Sequence, residues 1–271
     1  MFLILINFAG IMAEEYLYMI PTSVKEVKAL GWDYIDVILF TGDAFIDHPS
    51  FGTAVIARWL QKHGYRVAVV PQPNWRDDLR DFRKLGAPRL YFGVNSGAMD
   101  SMVNHYTAAK RLRSDDAYTP EGKAGQRPDY AVTVYTRILK ELYPDIPVVI
   151  GGIEASLRRV THYDYWQDAL KPSILVDSGA DWLCYGMGER TMIEFTRAIE
   201  AGRNVSDIRK IPQLGFYMDG KCRLRDAVIL NSFERCCKDK IAFAENFHVI
   251  ETYANMLQPP VLVEPVGNGY V

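Results

Sequence analysis

The residues best suited to chemistry are Gly151-Gly152-Ile153-Glu154, followed by Arg158 and His162. They come directly after the apolar run Pro147-Val148-Val149-Ile150, which predicts a buried strand. Glycines at the end of such a strand let backbone N–H groups approach a ligand, with a carboxylate and a guanidinium beside them. A simpler interpretation is a tight strand-to-helix turn in which the glycines only provide a positive φ.

Two other polar turns also follow apolar runs. Asp43, Asp47 and His48 form the first, and we expect them to make polar contacts to a substrate. Asp47 is equally suited to cap the next helix, and an isolated histidine is more often a loop hydrogen-bonding residue. In the second turn, Gly186, Gly188 and Glu189 form a Gly-x-Gly-Glu sequence, which can bind an anion or a ribose hydroxyl when it opens a helix.

These turns need a scaffold, and residues 33–218 predict one by alternating short apolar runs with helical periodicity. Repeated β-then-α units predict an α/β fold with a doubly wound, mainly parallel sheet of the flavodoxin-like type. Ligands of such sheets bind outside the carboxyl ends of the strands, so we expect the polar turns at one edge. The predicted strands span 36–43, 65–71, 89–96, 148–150 and 181–186, and the predicted helices 51–63, 77–85, 130–143 and 191–201.

The remaining segments predict a lead, an ordered loop and an extension. Residues 1–32 are a lead segment whose apolar start is too short to span a bilayer and lacks a basic flank, so we expect a cytoplasmic protein. The polar segment 100–127 predicts an ordered loop at the active edge. Residues 219–271 predict a small α+β extension: a hairpin turn at Asp219-Gly220, one helix over 232–255 capped by Ser232, and a linker.

Composition excludes several classes of function. The chain has 271 residues, 49% hydrophobic and 24% charged, with a net charge of −2, so neither a nucleic-acid partner nor a membrane is predicted. The four cysteines are Cys184, Cys222, Cys236 and Cys237. Their spacing matches no metal-binding motif, and reduced thiols are expected.

Several unusual strings resemble the YgiQ family of radical S-adenosylmethionine (SAM) proteins, in the same order and from about Pro21 to Tyr270. The strings include Thr41-Gly42-Asp43-Ala44, Asp47-His48-Pro49-Ser50-Phe51-Gly52, Asn104-His105-Tyr106-Thr107, Gly151 to Arg159, His162-Tyr163-Asp164-Tyr165-Trp166 and Tyr185-Gly186-Met187-Gly188-Glu189-Arg190.

The resemblance implies an amino-terminal domain that faces the substrate or cofactor of a longer enzyme. In that family a C-x-x-x-C-x-x-C motif in a separate barrel binds a [4Fe–4S] cluster and SAM. None of the four cysteines matches the motif, so the cluster and SAM are expected outside this chain, with the missing barrel as the main partner. In this interpretation Gly151, Gly152 and Glu154 wall the site, and Arg158 pairs with an anionic group.

Three alternatives remain open at this stage. The domain is similar in layout to cobalamin-binding domains, but the usual Asp-x-His-x-x-Gly spacing fails, because Asp47 and His48 are adjacent and Gly52 follows His48 by four. A second alternative is a stand-alone nucleotide- or corrinoid-binding module. A third is an inactive remnant of a truncated gene.

Overall fold

The computed structural model describes residues 19–224, 226–254 and 256–271. Of the predicted lead segment 1–32, residues 1–18 therefore lie outside the described residues. The rest of that segment holds a short helix, α1 (Val24–Ala29), which Ser23 and Glu26 begin with a reciprocal capping box.

A six-stranded sheet forms the centre of the fold, and smaller sheets lie beside it. The strands are β1 (Val37–Thr41), β2 (Val67–Pro71), β3 (Tyr91–Asn95), β4 (Val148–Ile150), β5 (His162–Asp164), β6 (Ala169–Lys171), β7 (Trp182–Cys184), β8 (Leu214–Gly215), β9 (Met218–Asp219), β10 (Val228–Ile229), β11 (Leu262–Val263), β12 (Pro265–Val266) and β13 (Gly269–Tyr270). The central sheet has the order β2-β1-β3-β4-β7-β8, in which the first five strands are parallel and β8 is antiparallel to β7. The parallel part has the flavodoxin-like order, which confirms the predicted α/β class.

Helices cover both faces of this sheet, so the central strands are buried on two sides. All five residues of β1 are buried, as expected of an apolar strand in a parallel sheet. Ala57 and Leu60 pack into one core layer, and Tyr135 and Leu139 into the other. The helices are α2 (Gly52–Lys62), α3 (Arg80–Arg83), α4 (Ser101–His105), α5 (Ala131–Leu142), α6 (Gly152–Leu157), α7 (Ile174–Ser178), α8 (Glu189–Glu200), α9 (Val205–Ile208), α10 (Phe233–Lys238) and α11 (Lys240–Ala254).

The predicted helix over 77–85 is wrong in length, since only the four residues of α3 are helical. Asp77 accepts a hydrogen bond from the N–H of Leu79, and Asp78 accepts one from the N–H of Arg80. These local bonds satisfy donors that a longer helix would need, and so favour turns.

The single helix predicted over 232–255 is two helices. Ser232 caps α10 as expected, by accepting a hydrogen bond from the N–H of Arg235. The chain leaves the helical conformation at Asp239 (φ −136°, ψ 106°), whose carboxylate accepts from the N–H of Ile241 and so begins α11. The apolar residues of these two helices do not form one continuous buried face, because Cys237, Ile241 and Phe247 are exposed. Asn255 lies outside the described residues.

The carboxyl-terminal extension combines helices and short strands, as predicted, but its strands differ from the predicted hairpin and linker. Strand β9, at the expected hairpin turn, pairs instead with β13 some fifty residues later, and β13 pairs with β12. Strand β10 pairs in parallel with β11. Val271 then packs against the core of the α/β domain.

Candidate functional site

The crevice between β1 and β3 is the expected ligand site of a flavodoxin-like sheet, and here the two strand ends touch. Gly42 follows β1 so closely against β3 that an added Cβ would overlap the Ser96 carbonyl oxygen. At Gly97 (φ +101°) an added Cβ would overlap the Asp43 carboxylate. Both glycines are therefore required by this close approach.

Arg127 fills the crevice and is fully buried. Its Nη1 donates to Asp43 Oδ1 at 2.7 Å and to the Ser96 carbonyl at 2.8 Å, and its Nη2 donates to Asp116 Oδ2 at 2.9 Å. Asp43 also accepts from the N–H of Ala98 at 2.6 Å. Burial raises the pKa of Asp43, and the guanidinium opposes this effect.

The Asp43 carboxylate is therefore directed into the protein. It contacts Arg127 there, in place of the polar contact to a substrate that we expected. Beside this cluster, Thr41, Phe45 and Thr53 line a cavity of about 10 Å³, room for roughly one water molecule. Sequence reasoning missed Arg127 and Asp116, because nothing in their local pattern distinguishes them from the other charges of the 100–127 segment.

Asp47 and His48 lie on the exposed loop that precedes α2. Asp47 forms an ion pair with Arg58, and both side chains are more than a third exposed. His48 accepts a hydrogen bond at Nδ1 from the N–H of Ser50 at 3.1 Å. The contacts of both residues are thus local to the loop and helix α2.

The double glycine forms a tight turn between β4 and α6. The Gly151 N–H donates to the Val94 carbonyl at 2.9 Å. Gly152 has φ +79°, and an added Cβ would lie 3.2 Å from the Asn95 Cβ. Gly152 therefore agrees with the simpler interpretation of this segment as a tight turn, because its backbone needs a positive φ and there is little space for a side chain.

Glu154 is completely buried and joins three elements. Its Oε2 accepts from the N–H and the hydroxyl of Ser101 at 2.9 and 2.6 Å, and its Oε1 accepts from the N–H of Val132 at 3.0 Å. Burial raises the pKa of this carboxyl group, and the guanidinium of Arg158 opposes the effect. Glu154 therefore ties the starts of α4 and α5 to α6, and it presents no atom to a ligand.

Arg158 is paired within the protein. It donates to Asp100, and its Nη1 lies 3.8 Å from Glu154 Oε2. The guanidinium carbon also lies 5.7 Å from the centre of the Tyr130 ring. Two internal carboxylates thus take the place of the external anion predicted for Arg158.

We expect Glu154→Gln to lower the free energy of unfolding by about 2 kcal/mol. Whichever way the amide is placed, its NH2 group faces a backbone N–H of Ser101 or of Val132 that the carboxylate satisfied. Urea denaturation measures the change. Glu141→Gln, at an exposed position of α5, is the control and should change stability by less than about 0.5 kcal/mol. If the two variants were equally stable, the hydrogen bonds of Glu154 would not contribute to the stability of the fold.

The Gly186–Glu189 turn lies beside the double glycine, since the Gly186 N–H donates to Ser156 Oγ at 3.2 Å. An added Cβ at Gly186 would lie 2.9 Å from Gln213 Nε2, and one at Gly188 would lie 2.9 Å from Cys184 Sγ. Gly188 precedes α8, and Glu189 is its first residue. The two predicted glycine turns therefore meet. A positive φ (+71°) accounts for Gly186, and close packing accounts for Gly188.

His162 begins β5 at the contact between the α/β domain and the extension. Its Nδ1 lies 3.2 Å from the Val160 carbonyl, its Nε2 is buried without a hydrogen-bond partner among the described residues, and burial lowers its pKa. The adjacent Thr161 donates its N–H to Glu264 Oε2 at 2.8 Å. Glu264 is 1% exposed, and burial raises its pKa to about 7.

A further polar cluster, which sequence reasoning did not select, surrounds Asp129. His105 Nδ1 lies 2.7 Å from one carboxylate oxygen and the Tyr106 hydroxyl donates to the other at 2.8 Å. The Trp166 ring packs on Tyr106, with centres 4.8 Å apart. Two strings that carried the family resemblance, around Tyr106 and Trp166, thus meet in space.

The described residues do not fit a [4Fe–4S] cluster, which needs several converging thiolates. Burial raises the pKa of Cys184 to about 12, so this residue stays a thiol inside the sheet. Cys236 is also buried, and its pKa is raised by burial. Across residues 19–224, 226–254 and 256–271, no three His, Cys, Asp or Glu side chains are grouped so that they could hold a metal ion.

The described residues do not fit cobalamin at the crevice either. Arg127 and its carboxylates occupy the space where a flavodoxin-like sheet holds its ligand. Within the described part of the chain, no helix has the length and apolar character needed to cross a membrane.

Comparison with known proteins identifies the family. The model for "Radical SAM N-terminal" matches residues 19–271. UPF0313 proteins of Porphyromonas gingivalis and Bacteroides thetaiotaomicron are 56% and 53% identical, each over 93% of this chain but only 40% and 43% of their own lengths. The chain thus spans about two fifths of these relatives. A solved structure of TsrM from Kitasatospora setae, a radical S-adenosylmethionine methyltransferase with cobalamin and a [4Fe–4S] cluster bound, is 20% identical, with a TM-score of 0.43 over 67% of this chain and 28% of that one. The chain therefore belongs to the radical SAM N-terminal family and is similar to part of the UPF0313 proteins, which confirms the predicted resemblance.

Proposed function

We propose that this domain is the substrate- or cofactor-facing cover of a radical SAM iron–sulfur enzyme. The [4Fe–4S] cluster and SAM would be held by a barrel outside this chain. That barrel would supply the radical chemistry, and this domain would close the reaction space from one side.

The observation that carries the proposal is a set of exposed apolar side chains at the carboxyl edge of the sheet, which we call the edge surface. Its side chains follow β1, β3, β4 and β7, and they are between 43% and 76% exposed. Large apolar side chains that cluster at one edge are typical of a surface that another domain covers. The edge surface consists of Ile46, Val103, Ile153, Leu157 and Met187.

The polar residues beneath the edge surface support a cover with a fixed shape. Glu154 and Arg127 use their charges inside the domain and hold the turns in place. Pre-formed turns can position a substrate with little loss of entropy on binding. The turns would thus shape the site, while groups of the barrel would perform the reaction.

This proposal is favoured over the two other sequence-based hypotheses. A stand-alone module that binds its ligand in the crevice would need space that Arg127 occupies. A decayed remnant would not be expected to retain buried charges that are paired as closely as those of Arg127 and Glu154.

Hydrogen–deuterium exchange compares this chain alone with the full-length radical SAM polypeptide. We expect peptides over 153–157 and 186–188 to exchange at least several-fold more slowly in the full-length protein, because the barrel covers them. Met187→Glu in that protein should remove the protection, since it places a charge on an apolar contact.

Val205→Glu is the matched control. Val205 is 48% exposed at the start of α9. Helix α8 runs from the carboxyl edge of the sheet to the opposite edge, and α9 follows it. Val205 therefore lies at the edge opposite to the edge surface. The control should leave protection unchanged. Equal exchange of the edge peptides in the short and full-length proteins would refute the proposed function.

A further inference from the structure

A second apolar feature lies on the carboxyl-terminal extension, as a groove of about 510 Å³ between α11 and β10. One wall is a stripe of α11 residues that recur with helical spacing, so they share one face. The opposite wall includes Ile229 of β10, which is 54% exposed. The stripe consists of Ile241, Ala244, Glu245, His248 and Val249.

The wall formed by β10 has an open backbone edge. Strand β10 belongs to a two-stranded sheet, and the N–H groups of Val228 and Leu230 donate to the carbonyls of Val261 and Val263. Backbone groups of successive residues in a strand point to opposite sides, so the N–H and C=O of Ile229 face away from β11. An exposed apolar strand edge is a template for one more strand.

Hydrogen bonds between the half-buried Asn231 and the buried Asn246 fix the shape of the groove. Asn246 accepts from the N–H of Asn231 at 2.7 Å and donates to the Asn231 carbonyl at 2.8 Å. The Asn231 side chain in turn donates to the Ala242 carbonyl at 3.0 Å. These bonds fix the end of β10 against α11. A partner would therefore meet a pre-formed groove and lose little entropy in shaping it.

We infer that this groove receives an extended, apolar segment of the radical SAM part of the same polypeptide. The inference rests on the proposed function. The open edge at Ile229 would pair with the backbone of that segment, and alternate side chains of the segment would enter the apolar stripe.

The length of the relatives supports an occupant from the same polypeptide. This chain spans 40% and 43% of the two UPF0313 relatives, so more than half of each lies outside the matched region. A segment of the same polypeptide is present at a high effective concentration, so a groove of moderate size suffices to hold it. An apolar occupant also matches the groove, because five of the nine residues that line it are apolar.

Hydrogen–deuterium exchange of the full-length polypeptide and of this chain tests the inference at the Ile229 amide. We expect at least tenfold slower exchange of that amide in the full-length protein, because it gains a hydrogen-bond partner. Ile241→Asp in the full-length protein should abolish most of this protection. Ile241 is 70% exposed, so the variant should keep the unfolding temperature of this chain unchanged.

Phe247→Asp is the matched control, since Phe247 is 61% exposed on the same helix but does not line the groove. It should leave protection at Ile229 intact. Equal exchange of Ile229 in the short and full-length proteins would overturn the inference. A second result would also overturn the inference. If the Ile229 amide of this chain alone became protected as its concentration rose, and sedimentation showed a dimer, the groove would bind a second copy of the chain. The edge peptides 153–157 and 186–188 report separately, so the proposed function can hold while this inference fails.

Discussion

Replacement of Arg127 by alanine is expected to lower the free energy of unfolding by about 3–5 kcal/mol at pH 7. The change leaves Asp43 and Asp116 buried without their cation, and both are almost fully withdrawn from water. It also removes the donor to the Ser96 carbonyl, which closes the contact between β1 and β3. Urea denaturation of the wild-type chain and the variant measures the loss.

The loss should shrink as the pH falls. In the variant Asp43 has lost the guanidinium that opposes the effect of burial, so its folded pKa lies above its unfolded value and protonation favours the folded state. The variant is therefore least stable, relative to the wild type, above this pKa, and it recovers part of the loss below it. Methylguanidinium at millimolar concentration should also stabilise the variant, because it replaces the missing group, and should leave the wild type unaffected.

Arg137→Ala is the control for the arginine prediction. Arg137 is 59% exposed and pairs with Asp177 on the surface, so its loss should change stability by less than about 1 kcal/mol. A similar small change for Arg127→Ala, without pH dependence, would show that the crevice does not depend on the buried charges.

The sheet could be predicted because its strands carry their signal locally. The run Val37-Ile38-Leu39-Phe40 is apolar throughout, as a strand buried on both faces must be, and Gly64 (φ +91°) lies directly after the C-cap residue of α2. Alternation of such runs with helices then restricts the fold to a doubly wound sheet.

The extension could not be predicted in the same way, because its strands are two residues long. Met218 pairs with Tyr270, some fifty residues later in the sequence, and no local periodicity predicts that pairing. The break at Asp239 has a local cause, a carboxylate that caps the next helix, but the apolar residues on both sides of it suggested continuity.

The place of the predicted turns in the fold could be inferred from the sequence, whereas their contacts inside the domain could not. The turns at Asp43, Gly151 and Gly186 do lie at the carboxyl edge, as a parallel sheet requires. The carboxylates of Asp43 and Glu154 are bonded inside the domain by Arg127 and Ser101. In each case the partner lies more than fifty residues away in sequence. A single sequence lists candidates for ion pairs without saying which of them meet.

Glu264→Gln is expected to stabilise the chain at pH 8 and to have little effect at pH 4.5 or below. Burial raises the pKa of Glu264 from 4.5 to about 7, a displacement that corresponds to about 3 kcal/mol. The stability due to the neutral carboxyl group is complete below the unfolded pKa of 4.5 and is lost as the pH rises through about 7. Glutamine stays neutral, so the variant should be more stable than the wild type by about 3 kcal/mol at pH 8.

The effect of Glu264 should be concentrated where the extension meets the α/β domain. The glutamine carbonyl can still accept from the N–H of Thr161, and that amide should therefore exchange more slowly in the variant at pH 8. Glu251→Gln, at an exposed position of α11, should leave the pH profile unchanged. If the variant were less stable than the wild type at pH 8, the carboxylate of Glu264 would be charged in the folded state and would stabilise that state. In that case the contact between Glu264 and Thr161 would strengthen with rising pH, and attachment of the extension would no longer depend on a neutral carboxyl group.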